Sequence, residues 1–298
     1  MTSETHSAFG RIGIWSSALH ASRADDAGKK EIAEAVAELD ELGYGTLWIG
    51  GSPSPEDAAA VVAATRTVTV ATGILSIWDH TAEDVAARIA DIEASARGRF
   101  VLGLGVSHGP MVPQYSKPYS AMVAYLDALD AADPPVEPGA RVLAALGPKM
   151  LRLAADRALG AHPYLVTVEH TAEAREALGP DALLAPELTV VLDTDLDRAR
   201  TTARDMLRGY LQLPNYTGNL LRLGFAESDF EGGGSDRLLD ALFALGDTER
   251  IRSRTREYLD AGADHVALQV LTAEEGGTGL PRTEWRRLAE AFAGAGEL

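Results

Sequence analysis

Short apolar or β-branched runs alternate with stretches rich in alanine, leucine, arginine and glutamate along the whole chain. This alternation is typical of parallel strands joined by crossover helices, so it predicts an α/β fold. Eight runs fit a strand, and eight parallel strands indicate a (β/α)₈ barrel of the TIM type. The predicted strands are Arg11–Ser16, Thr46–Gly50, Val68–Ser76, Phe100–Val106, Arg141–Leu146, Ala161–Val166, Glu187–Asp193 and His265–Leu271.

Capping residues mark the ends of helices between these runs. Lys30–Leu42 is predicted to be a helix that ends at Gly43, because glycine adopts the left-handed conformation of a helix C-terminus without strain. Thr81, followed by Asp84 three residues later, resembles a capping box and predicts a helix start. A shorter helix is expected over Thr171–Gly179.

Two connections are longer than a simple loop between a strand and a helix. They are Ser107–Gly139, after the fourth predicted strand, and Thr194–Asp264, between the seventh and the eighth. Long connections inside a compact domain commonly carry function. We therefore predict that residues 1–298 form one barrel domain with two insertions.

Composition narrows the possible functions. Of the 298 residues, 46% are hydrophobic and 24% are charged, and the formal net charge of −17 disfavours binding to nucleic acid or to an anionic membrane surface. The chain has no cysteine, so disulfides, thiolate metal sites and a cysteine nucleophile are excluded. Any redox chemistry must therefore use a bound cofactor.

We expect neither a membrane span nor a metal site. No apolar run approaches the ~18 residues of a membrane span, and cytoplasmic localisation is the simplest expectation. The seven histidines show no paired spacing of the His-x-x-x-His kind, so no metal site is predicted. The expected partner is a small-molecule substrate.

In a barrel of this type the active site lies at the carboxyl ends of the strands. The fifth predicted strand runs into Gly147-Pro148-Lys149-Met150, where a helix begins. Glycine lets an anion approach the backbone, Pro148 suits the first helical position, and the free N–H groups and the helix dipole favour negative charge. The segment is therefore either a phosphate site or an ordinary helix start.

Four segments together resemble the luciferase-like oxidoreductases, and the resemblance covers almost the whole chain. They are Ala71–Ile74, Arg99–Val106, Ala144–Met150 and Gly160–Thr167. Within this superfamily of luciferase-like monooxygenases, the chain is most similar to the actinobacterial branch regarded as dependent on the deazaflavin coenzyme F420. The later segments Leu213-Pro214-Asn215-Tyr216 and Gly232–Arg237 also fit that branch.

The resemblance implies a cofactor site at the strand ends, for F420 or alternatively for flavin mononucleotide (FMN). Deazaflavin relatives often have a cis peptide bond without proline behind the ring, and Gly73-Ile74 falls at that position. The other residues that the resemblance assigns to the cofactor are Val106, Ser107 and His108 beside the ring, and Gly147, Pro148, Lys149 and Met150 at the phosphate.

The proton donor is the point where the chain departs from its relatives. Several of them place a catalytic histidine or acidic residue at the end of the second strand, where this chain has Gly50-Gly51-Ser52. His108 is the replacement candidate, because it follows a barrel strand and a histidine exchanges protons near neutral pH. Its alternative role is a hydrogen bond to the cofactor or a loop. His80, which also fits a surface turn, and His162, which also fits a barrel core, are secondary candidates.

The first insertion and the end of the third strand supply candidate substrate residues. Similar loops in the family close over the cofactor or the substrate, so Tyr115, Lys117 and Tyr119 are candidate donors to a substrate carbonyl, or else anchors of the loop. Trp78 is expected to face the pocket, whereas Trp15, which could also wall an aromatic-ring pocket, is expected to pack in the barrel.

These expectations combine into one functional hypothesis with two alternatives. We expect an F420-dependent oxidoreductase that moves a hydride between the deazaflavin and an activated alkene, imine, carbonyl or alcohol. The alternatives are an FMN-dependent luciferase-like monooxygenase and a non-catalytic accessory barrel, which the missing acid after the second strand leaves open. Related barrels often dimerise, so the resemblance also implies a homodimer.

Overall fold

The computed structural model describes residues 8–273 and 279–298. Within these two segments the chain forms eleven strands, all of whose pairings are parallel. They are β1 (Ile12–Ser16), β2 (Thr46–Gly50), β3 (Thr69–Gly73), β4 (Leu75–Ser76), β5 (Phe100–Gly105), β6 (Arg141–Leu143), β7 (Gly160–Ala161), β8 (Leu183–Leu184), β9 (Glu187–Val191), β10 (Phe243–Leu245) and β11 (Val266–Val270).

Helices connect successive strands except between β3 and β4 and between β8 and β9. The α-helices are α1 (Asp26–Glu41), α2 (Pro55–Ala64), α3 (Ala82–Ala96), α4 (Pro118–Ala131), α5 (Pro148–Arg157), α6 (Val168–Leu178), α7 (Leu196–Tyr210), α8 (Pro214–Arg222), α9 (Asp236–Leu242), α10 (Thr248–Asp260) and α11 (Arg282–Ala293). Short 3₁₀ helices span Ala21–Arg23, Gly109–Met111, Pro138–Ala140 and Glu227–Gly233. Across residues 8–273 and 279–298, no helix is both long enough and apolar enough to cross a membrane.

The strands form one curled parallel sheet in the order β10-β9-β11-β1-β2-β3-β5-β6-β7-β8, with β4 also paired to β5. β8 and β9 belong to one extended run that forms backbone hydrogen bonds on both sides. The Ala185 N–H donates to the Ala161 carbonyl at 3.0 Å, and the Ala267 N–H donates to the Pro186 carbonyl at 3.0 Å. This run therefore bonds to β7 on one side and to β11 on the other, which is consistent with a TIM-barrel-like fold.

The alternating side chains of the strands explain why these runs are apolar on both faces. One set, with Leu47, Val70 and Leu268, packs in the large core under the helices. The other set, with Trp48 and Ala71, faces the interior of the curled sheet. Strands buried on both faces lack the polar alternation of a half-exposed sheet, and their continuous apolar runs made them predictable from the sequence.

A stack of neutral rings fills the sheet interior near the amino ends of the strands. The His162 ring lies parallel to Trp48 with ring centroids 4.0 Å apart, and its Nδ1 donates to the Ala185 carbonyl at 2.6 Å. Trp48 Nε1 donates to His265 Nε2 at 3.0 Å, which leaves His265 Nδ1 to donate to the Gly10 carbonyl at 2.8 Å. Burial lowers the pKa of both histidines to about 4. His162 is therefore a core residue.

The structure corrects several predicted boundaries. α1 begins at Asp26 rather than Lys30, because the Asp25 carboxylate caps it by accepting from the Gly28 N–H at 2.9 Å. α6 begins at Val168 rather than Thr171, because Thr167 caps it. The Thr81 cap of α3 is confirmed. The predicted strands at Arg141–Leu146 and Ala161–Val166 are longer than β6 and β7, and neither β8 nor β10 was predicted.

The buried histidines predict a loss of stability in mild acid. Their pKa values are lower in the folded chain than the ordinary 6.5, so the unfolded chain binds more protons and stability falls as pH drops from 6.5 towards 4. Each histidine accounts for about 3 kcal/mol of that loss. His162→Gln should therefore make the free energy of unfolding depend less steeply on pH. Urea denaturation at a series of pH values measures this dependence. His80→Gln, outside the sheet interior, is the control, and equal slopes for His162→Gln and the parent chain would refute this account.

Candidate active site

The inward-facing positions at the carboxyl ends of three neighbouring strands are glycines. A Cβ atom at Gly50 would lie 2.3 Å from the Trp15 ring, and one at Gly73 would lie 2.8 Å from Trp15 Nε1. A Cβ atom at Gly105 would lie 2.4 Å from the Ile74 Cδ1 atom. Trp15 and Ile74 therefore occupy the space that side chains of β2, β3 and β5 would otherwise fill. We call this end of the curled sheet the mouth.

The peptide bond between Gly73 and Ile74 is cis, as the resemblance implies. Trp15 Nε1 donates to the Gly73 carbonyl at 3.0 Å, which ties this turn to β1. On the other side, the Thr72 hydroxyl donates to the Gly103 carbonyl at 2.7 Å and accepts from the Gly103 N–H at 2.8 Å. The turn is thus fixed between β1 and β5, and it directs Ile74 onto the glycines of β5.

Aromatic rings continue from Trp15 across the mouth. Successive ring centroids lie 5.2 Å apart from Trp15 to Tyr164, 5.4 Å from Tyr164 to Tyr210 and 5.3 Å from Tyr210 to Tyr216. Tyr210 ends α7 and Tyr216 lies on α8, so the second insertion covers this side of the mouth. We call Trp15, Tyr164, Tyr210 and Tyr216 the aromatic cluster.

Hydrogen bonds orient the tyrosines of the cluster. Tyr164 Oη donates to Gln269 Oε1 at 2.8 Å, so it accepts from Tyr210 Oη at 3.1 Å. Burial raises the pKa of both phenols and of Tyr216, so all three are neutral hydrogen-bonding groups at physiological pH. The cluster therefore combines an apolar surface with fixed hydroxyl groups.

A carboxyl group is buried beside the cluster. Glu187, the first residue of β9, is 1% exposed, and its Oε2 accepts from the Leu165 N–H at 3.1 Å. Its Oε1 accepts from the Thr189 hydroxyl. No arginine, lysine or histidine of the described segments forms an ion pair with it, and burial raises its pKa to about 7.

The structure brings several predicted residues together at the end of β5. His108 is half-buried, its Nδ1 donates to Asn215 Oδ1 at 3.1 Å, and its ring lies 5.2 Å from that of Tyr216. Trp78 Nε1 donates to the Val106 carbonyl at 2.6 Å. Burial lowers the pKa of His108, and the bond to Asn215 partly offsets this effect. His108 thus lies where the end of β5 meets the second insertion.

The residues predicted for the first insertion divide into two groups. The Tyr115 ring is half-buried, 6.0 Å from the Trp78 ring. Lys117 and Tyr119 are exposed at the start of α4. His80 and Trp78 both line a groove of about 450 Å³ between α3 and α4, and neither His108 nor a residue of the cluster lines it. The structure therefore places Trp78 and Tyr115 together but not Lys117, Tyr119 or His80 with His108.

The N-terminus of α5 is open, as an anion site requires. Gly147 precedes the helix, and no side chain caps it. Gly147, Pro148 and Lys149 are exposed, Met150 is half-buried, and a Cβ atom at Gly147 would meet nothing within 4 Å. The preceding carbonyl, of Leu146, accepts from Nε2 of the buried His170 at 2.9 Å. The residues predicted for the phosphate thus form a fixed and accessible helix start.

The end of β2 is held by a histidine that the sequence analysis did not single out. His20 Nε2 donates to the Gly50 carbonyl at 2.5 Å, and its Nδ1 lies 3.4 Å from Asp57 Oδ2. Gly51 and Ser52 then turn with positive φ. The His20 imidazole thus fixes the end of β2, from which Gly51 and Ser52 turn.

Some of the missed residues carried a sequence signal. Glu187 and Gln269 lie within predicted buried strands, where an unpaired polar side chain is unusual. Tyr164 belongs to a segment that carries the family resemblance. Tyr210 had no signal of its own, because its place at the mouth depends on how the second insertion folds.

A sequence profile described as Luciferase-like monooxygenase matches residues 11–132 and 121–265. The fold and the site at the strand ends agree with that match, and the chain belongs to the luciferase-like monooxygenase family. A search of curated proteins gives no match.

Solved structures of two kinds share this fold. An F420-dependent secondary alcohol dehydrogenase in complex with an F420–acetone adduct has a TM-score of 0.68 at 14% identity, covering 90% of this chain and 96% of its own. The coenzyme F420-dependent tetrahydromethanopterin reductase from Methanopyrus kandleri has a TM-score of 0.62 at 16% identity, covering 93% and 97%.

The other kind uses a flavin. The oxygenating constituent of 3,6-diketocamphane monooxygenase from the CAM plasmid of Pseudomonas putida, in complex with FMN, has a TM-score of 0.68 at 13% identity, covering 95% of this chain and 96% of its own. At these identities the likeness shows the fold alone. The chain is therefore a luciferase-like oxidoreductase or monooxygenase for which a flavin or a deazaflavin is a plausible cofactor.

The close contacts at the glycines of the mouth lead to a prediction about the stability of an alanine variant. Gly50→Ala places a methyl group against the Trp15 ring, which cannot move without losing its bond to the Gly73 carbonyl. We expect a loss of about 1–3 kcal/mol in the free energy of unfolding, measured by urea denaturation. Gly209→Ala on α7 is the control, because a Cβ atom there would meet nothing within 4 Å. Its free energy of unfolding should rise by about 0.5–1 kcal/mol. Equal stability of the two variants would show that Trp15 does not fill the mouth as described.

Proposed function

We propose that the protein is an F420-dependent oxidoreductase that transfers a hydride between the deazaflavin and a small organic substrate, an activated alkene, imine, carbonyl or alcohol. The observation that carries the proposal is the Gly73–Ile74 turn at the mouth, which presents Ile74 over strand positions that have no side chain. The proposal includes a closed (β/α)₈ barrel with insertions after the fourth barrel strand and between the seventh and the eighth.

The residues at the mouth fit a flat ring. Cofactor sites are mostly apolar, with a few fixed polar groups. Ile74 and Val106 are apolar side chains of this kind, while Ser107 and His108 follow at the end of the same strand as polar groups. These four residues would hold the ring.

The start of α5 fits the phosphate of either cofactor. Its first N–H groups point out of an uncapped helix end, and the open space at Gly147 lets an anion approach them. Gly147, Pro148, Lys149 and Met150 would hold the phosphate through backbone groups. The Lys149 ammonium adds a positive charge there, in a chain whose formal net charge is −17.

F420 supplies two-electron hydride chemistry and reacts poorly with oxygen, so this proposal requires no oxygen activation. The protein's part is to bind, to exclude water and to handle a proton. The aromatic cluster covers one side of the mouth and keeps water from it. His108, neutral because burial lowers its pKa, donates from Nδ1 to Asn215, so its Nε2 is left to accept a proton.

Cofactor binding tests the proposal without a known substrate. Purified, cofactor-stripped protein is titrated with oxidised F420 and, separately, with FMN, and both dissociation constants are fitted to fluorescence quenching. We expect saturable F420 binding at least tenfold tighter than FMN binding. The reverse preference would favour a flavin-dependent monooxygenase, and binding of neither would favour the accessory protein.

Substitution of Gly147 locates the phosphate in the same titration. Gly147→Asp and Gly147→Asn each introduce a side chain that caps α5, so neither should lower the melting temperature. Only the aspartate places a negative charge at the anion site. We expect Gly147→Asp to weaken F420 binding at least tenfold relative to Gly147→Asn. Equal affinities of the two variants would place the phosphate elsewhere.

A further inference from the structure

Glu187 is a buried acid without a structural partner of opposite charge. Both carboxyl oxygens face donors, the Leu165 N–H and the Thr189 hydroxyl. A buried carboxylate is costly unless a cation or several donors compensate it. Two neutral donors stabilise the ionised form only in part, so the protonated and ionised forms of Glu187 are both accessible near neutral pH.

The titratable groups around Glu187 do not change this balance. The tyrosines that interact with its charge are Tyr164, Tyr210 and Tyr216 of the aromatic cluster and Tyr258 of α10. Burial raises the pKa of each of these phenols, so they stay neutral at physiological pH. The charge of Glu187 can therefore change without the loss of an ion pair.

A band of polar side chains leads from Glu187 towards the aromatic cluster. Thr189, two residues further along β9 and on the same face, donates to Glu187. Gln269 of β11 is the Cα partner of Thr189, and its Oε1 accepts from Tyr164. The interior side chains next to Glu187 in the chain and on β11, Ala185 and Ala267, are apolar. Thr189 and Gln269 thus extend polar side chains from the buried acid to Tyr164 of the cluster.

We propose that Glu187 is the proton reservoir of the mouth and exchanges its proton along the polar band that begins at Thr189. The inference rests on the proposed hydride transfer. In the reducing direction, the reduced deazaflavin would supply a hydride to one atom of the substrate double bond. The other atom takes the proton that leaves Glu187, and the carboxylate is reprotonated from solvent. In the oxidising direction Glu187 accepts the proton. Glu187 acts through other groups and is not assigned a contact with substrate.

Infrared difference spectroscopy of the cofactor-free protein tests the reservoir directly. We expect a carboxylic-acid band that titrates near pH 7, is lost in Glu187→Gln and is kept in Glu31→Gln, an exposed control on α1. Transfer into D₂O should shift the band quickly in the parent chain and at least tenfold more slowly in Thr189→Val, with Thr201→Val on α7 as the control. A band that does not titrate, or one that exchanges equally fast in Thr189→Val, would overturn the proposal.

Denaturation as a function of pH gives a second measurement. Because the pKa of Glu187 is higher in the folded chain than in the unfolded chain, its contribution to stability is full below the unfolded value and is lost as pH rises through about 7. Glu187→Gln should therefore gain stability relative to the parent chain as pH rises from 5 to 8. A constant difference would count against a titrating Glu187.

F420 titration of the same variants separates the two proposals. Glu187→Gln should bind F420 within about twofold of the parent chain, because Glu187 is not among the residues that would hold the cofactor. If the parent chain binds F420 but shows no titrating carboxyl band, the reservoir fails and the proposed function stands. If neither the parent chain nor the Glu187→Gln variant binds F420, the proposed function fails.

Discussion

The contact of Trp15 with the glycines at the carboxyl ends of β2 and β3 organises the mouth. The indole covers Gly50 and Gly73, and its Nε1 holds the Gly73 carbonyl. This bond fixes the turn from which Ile74 reaches the glycines of β5. A side chain at any of these glycines would displace one of the two covering groups, so the shape of the mouth depends on residues that have no side chain of their own.

The interior of the curled sheet divides into two layers of different polarity. At the amino ends of the strands, His162, Trp48 and His265 form a closed set of neutral rings whose donors meet acceptors inside the core. At the carboxyl ends, Glu187 and Gln269 join the hydroxyl groups of the aromatic cluster. Burial acts on both layers but with opposite chemical results, because it keeps the histidines unprotonated and favours the protonated carboxyl. The first layer stabilises the fold, and the second is suited to proton exchange.

The sequence predicted the framework because the strands are buried on both faces and give continuous apolar runs. It also placed Gly147-Pro148 directly after a predicted strand and Gly73-Ile74 within one, and a family resemblance could assign roles to both. Helix starts were predicted less well, since Asp25 and Thr167 cap their helices several residues before the apolar pattern begins.

The aromatic cluster could not be predicted, for a different reason. Tyr210 and Tyr216 lie in a long insertion, and only its folding over the strand ends brings them to Trp15 and Tyr164. The short strand Phe243–Leu245, within the same insertion, pairs with β9, but its apolar residues follow directly on those of α9 and did not stand out as a separate strand. Contacts between segments that are distant in the chain leave no local pattern in the sequence. An acidic residue such as Glu187 in an apolar strand does leave such a pattern.

The most direct test of the central claim is a crystal structure of the protein soaked with oxidised F420. We expect the deazaflavin ring to lie against Ile74 and the phosphate to lie at the N–H groups that follow Gly147. A ring bound in the groove between α3 and α4, or a phosphate away from α5, would contradict the claim that the glycine-lined mouth is the cofactor site.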